Sequence, residues 1–247
     1  MIRDFLVRGL RYVAKEINTV GLEQRLQNSA WQEAVAFIEA NDHRGCDFHT
    51  SATSIRSAAF RQAPKTGLLL EFGVNRGKSI QLFSKLLIEG SDSREIIGFD
   101  NFTGLTEDWT GMGRENGHAI RKKYFDLGGR PPTLNDNIKL AIGDIEDTLI
   151  PFLDKNSGNQ ISFIHIDTDT YRPCQLILEN CKPFLQNGSI ILFDQLLGYP
   201  GCRFHEFAAL HEIFDKTEYE FIGFGVAQER SNLVKAAIRY RNEVGPE

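Results

Sequence analysis

From residue 67 onward the chain alternates short apolar runs with longer segments of helical periodicity, and few folds accept that order. The runs are "GLLLEFGV" (67–74), "EIIGFD" (95–100), "IKLAIGD" (138–144), "ISFIHIDTD" (161–169) and "SIILFDQ" (189–195). Between or after them lie the helical patterns "KSIQLFSKLLIEG", "IEDTLIPFLDKN", "YRPCQLILENCKPFL" and "FHEFAALHEIFDK". Strands that alternate with helices imply an α/β fold, a parallel sheet covered on both faces. Strands buried on both sides read as unbroken apolar runs, as these do. The chain closes with "EYEFIGFGVAQERSNLVKAAIRY", two apolar stretches around the polar turn "AQERS", the pattern of an antiparallel hairpin. Residues 1–66, with "WQEAVAFIEAN" and "SATSIRSAAFRQA", read as a helical N-terminal extension packed on a sheet domain of residues 67–247.

Four of these runs finish on acids: Asp100, Asp144, the pair Asp167 and Asp169, and Asp194 followed by Gln195. A charge at the end of a core strand is costly unless something pairs with it. Taken singly, each aspartate has a plain explanation as a helix N-cap, and for Asp144, which precedes a helical segment, that explanation competes well. Four strands ending alike are much harder to explain by capping. Ligands of open parallel sheets bind beyond the carboxyl ends of the strands, which places all these acids at one crevice. The first strand runs into "EFGVNRGKS", where Gly73 and Gly77 allow a tight turn and close backbone approach before an electropositive helix N-terminus. This is not the G-x-G-x-x-G of nicotinamide enzymes, and a bare strand-to-helix turn also needs glycine. Asp100, at the end of the second strand, can accept both hydroxyls of a ribose.

The net charge of −5 argues against nucleic acid as the main partner, and the one local basic run, "RKK" at 121–123, reads as a solvated face. Four cysteines, Cys46, Cys174, Cys181 and Cys202, form no C-x-x-C pair, so a reducing cytoplasm is the default compartment. No run is apolar and long enough to span a membrane, and the N-terminus lacks the apolar core of a signal peptide. It does carry an apolar stripe, Ile2, Phe5, Leu6, Leu10, Val13 and Ile17, with Arg3, Arg8, Arg11 and Lys15 off it. Packing on the domain, a homo-oligomer contact and a membrane-surface helix are the three readings, and the first two are preferred.

The segments "LLLEFGVNRGKSI", "IIGFDNFTGLTEDW", "GDIEDTLIPFL" and "IDTDTYRPCQLILENCKPFLQNGSIILFDQLLGYPG", in that order, resemble class I S-adenosylmethionine-dependent methyltransferases. Within that class they look most like the macrocin O-methyltransferase (TylF-type) family. The resemblance covers residues 67–200 and implies a Rossmann-like, mostly parallel sheet with a reversed last strand. It implies that Glu71, Gly73 and Gly77 turn around the methionine end of the cofactor, with Ser79 holding its carboxylate. It places Asp100 on the ribose, and Asp144 and Ile145 beside the adenine. It also implies Mg2+ between the fourth and fifth strand ends, with Asp167, Asp194 and Gln195 as ligands. Such an ion would compensate the clustered acids and lower the pKa of a substrate hydroxyl. Asp167 or Asp169 would then remove its proton. Metal-dependent relatives carry Asp or Asn where this chain has the longer Gln195, which either coordinates through its amide oxygen or marks loss of the metal.

The function expected is O-methylation of a small, sugar-containing or polyhydroxylated acceptor. A nicotinamide-dependent oxidoreductase is the first alternative, opposed by the missing glycine motif and by the hairpin ending. A cofactor-binding scaffold without methyl transfer is the second. Among the histidines, His165 inside a strand reads as a satisfied core residue. His118 and His205, in loops, could touch substrate but are more commonly solvated. Trp109 and Tyr199 could line an acceptor pocket or simply anchor their loops. The long loop after Asp100 could close over the site.

Overall fold

The computed structural model describes residues 2–41, 44–111, 114–115, 118–227 and 230–242, without the side chains of residues 2–20, 114–115, 118–119, 227 and 230–232. The apolar stripe from Ile2 to Ile17, the side chain of His118 and part of the "AQERS" turn fall outside the described residues.

An eight-stranded sheet forms the centre. Its strands are β1 (Asp47–His49), β2 (Leu68–Phe72), β3 (Ile96–Asp100), β6 (Ile138–Ile142), β7 (Ile161–Ile166), β8 (Leu185–Leu197), β9 (Tyr219–Ala227) and β10 (Arg230–Tyr240). They run in the order β1-β9-β10-β8-β7-β2-β3-β6. The short pair β4 (Arg114–Glu115) and β5 (His118–Ala119) stands apart in the loop after β3. The pairs from β8 through β7, β2 and β3 to β6 are parallel, while β10 runs antiparallel to both β8 and β9. This is the mostly parallel Rossmann-like sheet with a reversed final hairpin that the sequence pattern predicts. The chain builds outward from β2 to β3 and β6, then returns to β7 on β2's other side. The topological switch point therefore lies between β2 and β7.

Helices cover both faces. Beneath one lie α2 (Ala52–Gln62) and α3 (Lys78–Glu89), whose Ile55, Ala59, Phe60, Ile80, Phe83 and Leu87 pack on Leu69, Phe163, Ile190 and Leu192. The other face carries α4 (Ile145–Lys155), α5 (Tyr171–Cys181), α6 (Glu206–Ile213) and the second half of α1 (Ile2–Ala40). On α5, Cys174 and Cys181 stand two turns apart and both are buried, so their shared face is core. No helix among the described residues is long and apolar enough to cross a membrane.

The N-terminal segment packs on the sheet and also contributes a strand to it, beyond its reading as a helical extension. Residues 47–49 form β1, which pairs in parallel with β9 at the sheet edge, and α2 is part of the core. A boundary at residue 66 therefore cuts through one packed unit. Three residues, "DFH", are too short a run to show strand periodicity, and it is pairing with Gly223–Gly225 that makes them a strand.

Candidate active site at the carboxyl edge of the sheet

Register aligns the strand ends. Phe72 pairs with Phe99 on one side and Ile166 on the other, and Ile166 pairs with Phe193. The residues one step beyond this row are Gly73, Asp100, Asp167 and Asp194. All four line a cavity of about 450 Å3 together with Asp144, Ile145, Asp169, Gln195, Arg56 and Lys235. At the switch point the ends of β2 and β7 nearly touch. Gly73 has φ +89°, and a Cβ built on it would lie 2.0 Å from the Asp167 carbonyl oxygen. Only glycine fits there.

On the β2–β3–β6 side the backbone holds Asp100. Asp100 accepts the Asn75 amide on Oδ2 and the Phe102 amide on Oδ1, each at 2.7 Å. A carboxylate offers about four lone-pair sites, so each oxygen retains one for a ligand. Asp144 stands at the N-cap position of α4 but makes no side-chain cap bond. Its Oδ1 instead accepts from Asn101 Nδ2 at 2.7 Å.

Glu71, Gly77 and Ser79 do not line the cavity. Ser79 is turned inward and donates its hydroxyl to Glu71 Oε1 at 2.9 Å, so holding a cofactor carboxylate would break a buried bond. Glu71 is fully buried and faces His165 at 3.1 Å through Oε2. Both are corrections to the roles the resemblance implied. Strand alternation turns Glu71 toward α3, away from the ligand crevice.

That same alternation produces a polar row across the sheet. Glu71 on β2, His165 on β7, Asp194 on β8 and Lys235 on β10 all sit on the face covered by α2 and α3, and all are buried. Their signs alternate along the row. His165 Nδ1 faces Glu71, while Nε2 faces Asp194 Oδ1 at 3.4 Å. Lys235 Nζ donates to Asp194 Oδ2 at 2.6 Å and to the Asp194 carbonyl at 3.0 Å. From α2, Arg56 adds Nη2 to Asp194 Oδ1 at 2.6 Å and Nε at 3.2 Å. Burial works against a charged His165, but hydrogen bonds to Asp194 and Glu71 outweigh it and lift its pKa to about 9. Asp194 shows the opposite balance: burial pushes it up, yet the charges of Lys235 and Arg56 hold it well below the usual carboxylate range. Asp167 is raised, by burial first and then by the neighbouring Asp194 charge. Its side chain still keeps a quarter of its surface open, and Gln195 Nε2 donates to its Oδ1 at 3.0 Å. Burial and then the charges of Asp167 and Asp194 raise Glu206, on α6, to about 8. Asp169 is buried, with φ +65°.

These contacts answer what compensates the strand-end carboxylates: the chain's own cations. The Mg2+ expectation therefore does not fit the donor set. Both oxygens of Asp194 are occupied by nitrogen donors, and Gln195 presents its amide NH2, not its oxygen, to Asp167 and Asp194 at 3.0 and 3.1 Å. Arg56, Lys235 and Glu206 went unread in the sequence. Lys235 had a signal, a lysine within the apolar strand "NLVKAAIRY", whereas Arg56 looked like any helix-surface arginine.

The loop residues resolve toward packing. Trp109 and Tyr199 are buried edge-to-face at 5.7 Å in a small cluster with Ile120, Cys202 and Leu233. His205 Nε2 donates to the Thr110 carbonyl at 2.9 Å, and burial lowers its pKa, so it ties the loop after β3 to α6 as a neutral ring. Leu105, Thr106 and Phe125 of that loop border the cavity.

No curated protein sequence matches the chain. Among solved structures, CalS11, described as a calicheamicin methyltransferase, is similar over 92% of this chain and 93% of its own, with 22% identity and a TM-score of 0.59. A structure of CalS11 as TDP-rhamnose 3'-O-methyltransferase shares 24% identity over 77% of this chain and 79% of that one, with a TM-score of 0.55. The O-methyltransferase NovP shares 18% identity over the same 77% and 79%, with a TM-score of 0.52. At these identities the likeness speaks for the fold. A model of the methyltransferase domain matches residues 70–196, which runs from β2 into β8 and takes in Gly73, Asp100, Asp144, Asp167 and Asp194. The chain therefore belongs to the methyltransferase-domain family.

Proposed function

We propose that the chain methylates a hydroxyl of a small, polyhydroxylated acceptor such as a sugar or a glycosylated natural product, as the TylF-type O-methyltransferases do. The observation that carries this reading is Asp167: a carboxylate at the switch point, raised by burial, with its side chain open to the cavity beside Gly73. Raised carboxylates suit general bases. CalS11, which has this fold, is described as acting on TDP-rhamnose, and that supports a sugar acceptor.

In this reading S-adenosylmethionine, when bound, supplies an electrophilic methyl group on a sulfonium. Asp100 receives the ribose hydroxyls on its two remaining lone pairs, and Ile145 and Asp144 border the adenine. Gly73 lets the methionine end approach the strand tips. Asp167 accepts the acceptor's proton at Oδ2, since Oδ1 is held by Gln195. Asp169 borders the same cavity and would help position the acceptor. Chemistry of this kind is mostly alignment of nucleophile and leaving group, which a rigid strand edge supplies.

The test is incubation with methyl-labelled S-adenosylmethionine and a panel of free and nucleotide-linked sugars, with the product assigned by NMR. An O-methyl ether is expected, and Asp167→Asn should lower turnover by about 10²–10⁴-fold while leaving cofactor affinity within a few fold. A product methylated on nitrogen or carbon would overturn the reading.

A further inference from the structure

We infer that this methyltransferase works without a divalent cation, because Lys235 and Arg56 permanently hold the place at Asp194 that a metal ion would take. The inference rests on the proposed reaction at the same site. A carboxylate has about four lone-pair sites. Asp194 meets five donor groups: Arg56 Nε and Nη2 and His165 Nε2 on Oδ1, and Lys235 Nζ and Gln195 Nε2 on Oδ2. Nothing remains for a cation to bind.

The other candidate ligands are committed as well. Ligand atoms of His165, Asp167 and Asp194 lie within 4.8 Å of one another, a spacing that would suit a metal. Both ring nitrogens of His165, however, face carboxylates, at 3.1 Å to Glu71 and 3.4 Å to Asp194. Gln195 lies between Asp167 and Asp194, and only its NH2 can face two carboxylates without repulsion. Its amide oxygen is buried without a hydrogen-bond partner. Mg2+ demands near-octahedral oxygen ligation, and this site offers it nitrogen donors.

Charge gives the same answer. Asp167 and Asp194 carry two negative charges into the cavity wall, and Arg56 and Lys235 carry two positive ones. A divalent ion would leave an excess of two charges in a largely buried site, which is strongly unfavourable. Nor can Lys235 step aside easily. It is 4% exposed, and its ammonium is anchored to the Asp194 carbonyl as well as the carboxylate. In place of metal, Arg56 Nη2, 3.8 Å from Asp167 Oδ2, supplies positive potential where the acceptor oxygen would be deprotonated.

The experiment is Mn2+ titration of the full chain after chelation, followed by electron paramagnetic resonance, with and without saturating S-adenosylmethionine. Calorimetric titration of S-adenosylmethionine on the same preparation checks the cofactor separately. Wild type is expected to take up no stoichiometric Mn2+ while binding the cofactor. A Lys235→Met, Gln195→Asp double variant, which vacates the ammonium and restores a second acid, is expected to gain one Mn2+ per chain. One-to-one Mn2+ uptake by wild type, lost in Asp194→Asn, overturns the inference whether or not the double variant folds. A folded double variant that takes up no Mn2+ overturns the claim that Lys235 fills the metal's place. Loss of cofactor binding in wild type would instead count against the reaction assigned above.

Discussion

The two halves of the cavity are built by different means. On the β2–β3–β6 side, Asp100 is held by backbone amides, one of them only two residues away, and it keeps lone pairs for a ligand. On the β7–β8–β10 side, side chain meets side chain across long stretches of sequence. Arg56 and Asp194 are 138 residues apart, and Asp194 and Lys235 are 41 apart. In the function proposed above, the first half is a receptor left incomplete for its cofactor. The second is already complete: its charges satisfy one another, so its role is to hold Asp167 in place and set the local field. Strand-end acids that look alike in sequence are therefore held in opposite ways, one with lone pairs left open and the other with both oxygens occupied.

The largest effect expected from breaking this contrast is in the second half. Asp194→Ala should destabilise the fold by about 3–5 kcal/mol, because it leaves Arg56 and Lys235 buried without their carboxylate. Chemical denaturation measures it, and Asp194→Leu combined with Lys235→Met should recover much of the loss. A stable Asp194→Ala chain that merely stops turning over would mean the aspartate serves catalysis and not the ion-pair row.

Asp100→Ala should show the reverse pattern. Calorimetry should find S-adenosylmethionine affinity reduced by about 100-fold, the worth of two charge-assisted hydrogen bonds at the modest end of their range. Thermal stability should move much less than for Asp194→Ala, since the substitution leaves no buried charge without its partner.

The smallest effect is a slope with pH. Glu206 is raised to about 8, so between the unfolded value near 4.5 and 8 the folded state binds more protons, and stability falls as pH rises through that window. His165, raised from 6.5 to about 9, contributes stability that is full below 6.5 and lost on the way to 9. Both groups thus pull the melting temperature down from pH 6.5 to 8. Glu206→Gln should make that slope shallower, and an unchanged slope would remove Glu206 as its source.

Much of this was legible in the sequence because it is written in local pattern. Apolar runs broken by helical periods gave the parallel sheet, and the reversed hairpin was visible as two apolar stretches about a polar turn. The line of acids at the ligand edge followed from four of the five runs finishing on them, since parallel strands bring their carboxyl ends together. Gly73 could be read as a close approach, though not that the Asp167 carbonyl is what it approaches. The resemblance places Ser79 and Glu71 at the cofactor by position along the motif, but strand alternation turns Glu71 toward α3, where it holds the Ser79 hydroxyl.

What the sequence by itself determined is the order of elements, the edge that carries the site, and the residue types waiting there. Only the tertiary structure decided how those acids are compensated. Register and alternation bring Glu71, His165, Asp194 and Lys235 onto one face, and α2 lowers Arg56 onto the same carboxylate. The physical reason is separation: hydrophobic periodicity repeats within a few residues, whereas a buried charge is satisfied by whichever opposite charge the fold delivers from far along the chain.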